Sequence, residues 1–361
     1  MSAFASTWLW QLRWVPLGSS LRWRHAAGKS TNMRLAILAP LLVAACTTAP
    51  LPKPDVSAGY ATQRIADVNG RQIQLDVWYP SEAAEAPHSY NFGFGNVAQN
   101  AAISEGTLPV ILLSHGSMGA ASNYSWIAEP LARHGYVVLG VSHFGESPAF
   151  GQANMNPATV SRFGDRTRDI NAALDFLVTK SVYASHLDSK RVGALGHSSG
   201  GATVLMLAGA PFAFADVMAY CRDARATDKG CQYPPGPLSP EQAPVPSPVP
   251  IHAFVVMDPA VGPGFDSEGL KALMTPALVI GSAENDFLPF AAHAGRVASL
   301  LPSAETERLS SGEGHFVYVD RCTLPINVLG VQLCTDRPGV DRDAVHARLV
   351  PLILDFFDRQ L

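Results

Sequence analysis

Arg191-Val192-Gly193-Ala194-Leu195 runs into Gly196-His197-Ser198-Ser199-Gly200-Gly201, and the residues that follow, 202–208, are compatible with a helix. A short apolar strand, a glycine-crowded turn and a helix in immediate succession set a serine on a sharp, strained bend, and the flanking glycines let the backbone pass close to it. Ser198 is expected to stand exposed above the carboxyl edge of a sheet. The bare pattern Gly-x-Ser-x-Gly also arises by chance in chains of this glycine and serine content, where its bland reading is a turn with an N-capping serine. Its place after a strand and before a helix makes it a signal for a nucleophile.

Outward from this stretch, short apolar runs alternate with helical patterns. The runs are 110–113, 136–141, 191–195, 252–257, 277–280 and 306–309, and Ile170, Ala173, Leu174, Leu177 and Val178 recur at helical spacing between two of them. Continuous apolar runs of four to six residues separated by helices are what a parallel sheet covered on both faces requires. Upstream, two strand-like runs, 62–68 and 72–79, flank Asn69-Gly70, a pair suited to a tight turn. The expectation is an α/β protein with a mostly parallel sheet of about eight strands, helices on both faces and an N-terminal antiparallel hairpin, preceded by a loop-rich stretch before residue 110.

Composition agrees. Of 361 residues 47% are hydrophobic and only 16% charged, with a formal charge of -4, which excludes a disordered chain and offers no electrostatic footprint for nucleic acid. One domain is expected over 61–361, interrupted at 212–250 by an insertion: eight of the seventeen residues in 234–250 are Pro, which sustain neither a helix nor a central strand. The four cysteines in the body of the chain are expected to pair as neighbours across short loops, Cys221 with Cys231 and Cys322 with Cys334, in an oxidising compartment.

The first 45 residues read as targeting. From Met33 the chain has a short basic start, an apolar run over 35–45 and then Cys46. Val43-Ala44-Ala45-Cys46 resembles a bacterial lipobox, which implies cleavage before Cys46, its lipidation, translation from Met33 and a Pro-rich tether over 46–60. Thr47, with no Asp in its place, is similar to signals that pass to the outer membrane. The expected location is thus the cell envelope, lipid-anchored and facing the periplasm.

A serine is a weak nucleophile at neutral pH and needs a base, which in turn needs an acid to orient it. Four histidines follow Ser198: His252 opens a strand, His293 and His346 sit in helical patterns, and His315 lies in the Gly-rich loop Ser310-Ser311-Gly312-Glu313-Gly314-His315. His315 is the candidate base. Two carboxylates end strands between them, Asp258 and Asp286. Asp258 has a bland reading as an Asp-Pro turn, and Asp286 as the cap of a helix near 291–301. A tetrahedral intermediate needs backbone donors; the N–H of Ser199 is one candidate and that of Ser117, in the loop Ser114-His115-Gly116-Ser117-Met118-Gly119, the other.

The runs from Val110 through His115-Gly116, Gly135-Tyr136-Val137-Val138 to His143, and Gly196-His197-Ser198-Ser199-Gly200-Gly201-Ala202-Thr203-Val204 resemble the corresponding parts of the platelet-activating-factor acetylhydrolases. The chain is also similar to bacterial predicted dienelactone hydrolases. The likeness covers about 61 to the C-terminus and implies an α/β-hydrolase fold and hydrolysis of short-chain or lipid-type carboxylic esters, with no cofactor and no metal. In the acetylhydrolases the acid ends the strand after the nucleophile helix, which matches Asp258, the first choice. In most other α/β-hydrolases, cutinase-like enzymes with a similar Glu-Asn-Asp run included, it matches Asp286, the alternative. Ser198 stands where true dienelactone hydrolases have Cys, so their substrate is not carried over. The other class of function open to the chain is an inactive, envelope-tethered binding module of the same fold.

Overall fold

The computed structural model describes residues 56–67, 69–233 and 243–361. The lipidation signal with Cys46, Val68 at the end of the first hairpin run and residues 234–242 of the Pro-rich stretch lie outside the described residues.

Successive side chains of a strand point to opposite faces, so the run Val110 to Leu113 must feed two cores at once. It does: Val110 and Leu112 enter one buried cluster, Ile111 and Leu113 another. The chain begins with an antiparallel pair, β1 (Ser57–Ala66) and β2 (Gln72–Ser81). Strands β3 (Ala86–Ser89) and β4 (Phe94–Gln99) follow, then β5 (Leu108–Ser114) and helix α1 (Ser125–Arg133). Next come β6 (Val137–His143), α2 (Phe163–Thr179), β7 (Leu187–His197), α3 (Ser199–Leu207) and α4 (Phe214–Ala224). The last third holds β8 (Ala253–Met257), α5 (Ser267–Ala272), β9 (Ala277–Ser282), α6 (Ala294–Leu300), β10 (Ala304–Leu309), the small hairpin β11 (Asn327–Val328) and β12 (Val331–Gln332), and α7 (Arg342–Gln360).

The main sheet has ten strands in the order β10-β9-β8-β7-β5-β6-β2-β1-β4-β3. The two more than expected are largely β3 and β4, whose Asn- and Gly-rich sequence reads as loop. They become strands by pairing with each other and with the edge of β1, Gly59 opposite Ala98 and Tyr60 opposite Gln99. From β5 to β10 the pairings are parallel. Residues of α2, α3 and α6 pack on one face, with Ile170, Leu174, Val204 and Val297 fully buried; α1 and α7 cover the other, with Ile127, Leu131, Ile353 and Phe357.

The order of strands decides where chemistry can sit. After β5 the chain builds β6 on one side of it and then returns to lay β7 on the other. The connections leaving β5 and β7 at their carboxyl ends therefore diverge to opposite sides of the sheet and leave a crevice between them. Ser117 follows the carboxyl end of β5 and Ser198 that of β7, on either side of it.

Candidate active site

Ser198 sits between the end of β7 and the start of α3 with φ 56 and ψ -121. Residues other than glycine rarely adopt a positive φ, and such strain persists only where the surroundings over-determine it. Here the Ser198 N–H donates to the Met257 carbonyl at 3.0 Å, and its own carbonyl accepts from Ala202 and Ala260 at 3.1 and 2.9 Å. The flanking glycines of the motif are required sterically. A Cβ on Gly196 would overlap the Gly200 peptide, and one on Gly200 would overlap the Ser114 carbonyl at the end of β5. One departure from expectation is that Ser198 is only 7% exposed; it lies at the floor of a pocket, because the segments described below stand around it.

His315 follows a loop after β10 and opens a short 3₁₀ turn. Its Nε2 lies 2.9 Å from Ser198 Oγ, within reach for a base acting on a hydroxyl. Two contacts hold its backbone: its N–H donates to Asp286 Oδ1 at 2.9 Å, and its carbonyl faces His197 Nε2 at 3.0 Å. The Phe287 ring stacks on the imidazole at 5.1 Å.

The two candidate acids differ in what they touch. Asp258, at φ 40 beyond β8, is buried; its Oδ1 accepts the Ser282 N–H at 2.9 Å, and its Oδ2 faces His315 Nδ1 across 3.7 Å. Asp286 meets the main chain of His315, not its ring, and its other oxygen lies 3.4 Å from Arg337. Nor does it cap a helix, since α6 starts after His293. Sequence reasoning passed over Asn285, whose Nδ2 lies 3.2 Å from His315 Nδ1. Its Oδ1 accepts from the N–H groups of Phe287 and Leu288 at 2.9 and 2.7 Å, which fixes the orientation of the amide. Burial pushes the Asp258 carboxyl up to about 7, against the opposing pull of Ser282, His293 and Asn285. Burial likewise pushes the His315 imidazole down to about 3, offset in part by Asp286. In both residues the dry surroundings favour the uncharged form.

Ser199 is the first residue of α3, so its N–H has no intrahelical acceptor. The loop after β5 comes up beside it, with the Ser117 and Ser199 hydroxyls hydrogen bonded at 2.5 Å. Two networks hold that loop, and neither was legible in the sequence. The Gly116 N–H donates to the Tyr124 hydroxyl, which lies 2.9 Å from His197 Nδ1, so the loop after β5 and the loop of His315 are bridged through one imidazole. Beneath, a fully buried Arg166 pairs with both carboxylate oxygens of Glu146 through one edge of its guanidinium, Nε and Nη2, at 2.9 and 2.8 Å, and donates from Nη1 to the His115 carbonyl at 2.9 Å. The available signal was a charge at position 166, four residues before Ile170 on the apolar stripe of α2. Arg166→Ala is expected to destabilise the fold by about 3–5 kcal/mol, because it strands a buried carboxylate, whereas the paired replacement Arg166→Met with Glu146→Leu costs less. Urea denaturation of the three proteins checks the ranking.

Around Ser198 the structure forms a cavity of about 870 Å³, lined also by α4, by the turn that carries Cys231 and by the β11–β12 hairpin. Disulfides close both excursions, Cys221 with Cys231 and Cys322 with Cys334.

A mostly parallel sheet with helices on both faces, bearing a serine at a strand-to-helix elbow and a histidine within hydrogen-bond reach of its hydroxyl, is an α/β-hydrolase fold. Residues 80–215 match the sequence family described as PETase, PET hydrolase-like; the match takes in the Ser117 loop and Ser198 and ends before Asp258 and His315. Over 118 residues, 32% of the chain, the protein is 30% identical to cutinase est2 of Thermobifida alba, covering 35% of that protein. Over 114 residues it is 29% identical to a bis(hydroxyethyl) terephthalate hydrolase of Streptomyces coelicolor, covering 33% of it. The chain thus spans about a third of the length of the curated relatives it matches. A ferulic acid esterase from Streptomyces cinnamoneus aligns with a TM-score of 0.57 at 20% identity, over 87% of this chain and 92% of that one; what is shared with it is the fold.

Proposed function

We propose that the protein is a serine hydrolase of carboxylic esters, working through an acyl-enzyme. The observation that carries this reading is the 2.9 Å contact between Ser198 Oγ and His315 Nε2 at a strained elbow; the esterases among its relatives support it. Ser198 Oγ attacks the ester carbonyl as His315 takes its proton. The oxyanion that forms is met by the N–H groups of Ser117 and Ser199. The C–O bond to the alcohol then breaks, His315 returns the proton to the leaving alkoxide, and water repeats the sequence on the acyl-enzyme. Asp258 orients the imidazole and stabilises the imidazolium, an acid at the end of the strand after the nucleophile helix, as in the acetylhydrolases. Labelling by a fluorophosphonate, lost in Ser198→Ala, tests the reading; absence of labelling in the parent protein favours a binding module of the same fold.

A pH dependence follows. Asp258 supports the imidazolium only when ionised, and burial holds its carboxyl up at about 7. Below that pH it is neutral, so kcat/KM is expected to fall as the pH drops through about 7 and to level off above it. Stopped-flow or steady-state profiles check this; the limb should disappear from the residual activity of Asp258→Asn.

We propose further that the enzyme works tethered to the cell envelope through lipidated Cys46, on the likeness of 43–46 to a lipobox. An unmodified N-terminus at residue 46 by mass spectrometry overturns that.

A further inference from the structure

The pocket over Ser198 has walls that the sheet and its helices do not supply. One is the part of the connection between α3 and β8 that runs from α4 to Tyr233. Its helix α4 sends Phe214 and Val217 to the pocket, and the Cys221–Cys231 disulfide, itself at the lining, closes the ten-residue separation behind them. This wall is pinned at its far end: Asp228 Oδ2 lies 2.7 Å from His293 Nε2, and the Lys229 N–H donates to the Phe287 carbonyl at 2.9 Å. The other wall is the β11–β12 hairpin, closed by Cys322–Cys334 and presenting Val328 and Leu329. The two walls meet. Tyr233 from the first and Val328, Leu329 and Val331 from the second pack on one apolar cluster with Phe287 and Leu288, and Phe287 is the ring stacked on His315. Ser198 and His315 are consequently buried, at 7% and 1% exposure.

Short disulfide-closed segments pinned by buried polar contacts make a pre-organised wall, which lowers the ordering cost of binding. At about 30 Å³ per water-sized volume, a cavity of 870 Å³ holds on the order of thirty heavy atoms, the range of sites that engulf a whole small ligand. Resting on the esterase reading above, we propose that the substrate is a discrete ester carrying a bulky apolar group enclosed between the two stapled walls, and not a segment of an extended polyester lying across the surface. A polymer has chain on both sides of the scissile bond and needs an open groove, whereas this nucleophile lies at the floor of a walled pocket.

The test compares p-nitrophenyl acetate, p-nitrophenyl octanoate and a poly(ethylene terephthalate) film on the intact protein, with Ser198→Ala as the blank. Each added methylene that a hydrophobic pocket holds is worth at least several-fold in kcat/KM, so octanoate should exceed acetate by about 10²-fold and the film should release no product above the blank. Met155→Trp and Val328→Trp fill the pocket from separate sides, and both start from half-buried side chains that tolerate added bulk. Each should bring the octanoate-to-acetate ratio towards unity. The proposal is overturned if the parent protein hydrolyses acetate as well as octanoate, if the film yields product above the blank, or if the folded filling variants keep the parent ratio. Ser198-dependent acetate turnover without chain-length preference sinks this proposal and leaves the esterase reading standing. No Ser198-dependent turnover of any ester sinks both.

Discussion

Ser198→Ala is expected to lower ester turnover by a factor on the order of 10⁶ while leaving the fold intact, and His315→Ala by a similar factor. The size follows from how such residues act. Nucleophile and base serve one proton transfer, so removing either removes the step, and losses of this kind do not add. The double variant should therefore be scarcely worse than either single one. Stability should survive, because the elbow is held by the main-chain contacts of Ser198 to Met257, Ala202 and Ala260, which alanine keeps. Measuring p-nitrophenyl ester hydrolysis beside a thermal melt separates the two effects; substantial turnover in a well-folded Ser198→Ala protein would remove the serine from the mechanism.

The second large effect concerns the acid. Asp258→Asn should cost as much as ~10⁴ in turnover, since an amide facing Nδ1 leaves the imidazole without a carboxylate to orient it and to stabilise its charged form. Asp286→Asn should keep most activity. An asparagine oxygen can still accept the His315 N–H, and the contact with Arg337, itself about a third exposed, contributes little. Position 285 offers a control. Its Oδ1 is held by two N–H groups while its Nδ2 lies 3.2 Å from the ring, so Asn285→Asp would bring a carboxylate oxygen closer to Nδ1 than Asp258 is. In the Asp258→Asn background this replacement should recover part of the lost turnover. Inactive Asp286→Asn beside active Asp258→Asn would reverse the assignment.

Local patterns in the chain carried far. The elbow is legible because it is local: the strand, the glycine-crowded turn around Ser198 and the helix occupy consecutive residues. The alternation that sends Val110 and Ile111 to different cores is legible for the same reason, as is each cysteine pairing across a short loop. His315 could be chosen because its rivals sit in periodic segments. The strands β3 and β4 were not legible, since their residues favour loops and become strands only by pairing, β4 with the edge of β1 and β3 with β4.

What the sequence by itself determined is the parallel sheet, the serine at its carboxyl edge and two acids at plausible strand ends. Only the tertiary structure decided which acid faces the histidine ring, because Asp258 and Asp286 both follow strands and differ in direction, and direction depends on the positive φ at 258 and on what Ser282 and Asn285 bind. It also decided that Ser198 is buried. The segment from α4 to Tyr233 and the loop closed by Cys322–Cys334 become walls only where Tyr233, Phe287 and Val328, more than forty residues apart from one to the next, share one apolar cluster. Periodicity reports which face of an element is buried; it carries no information about which distant face will cover it.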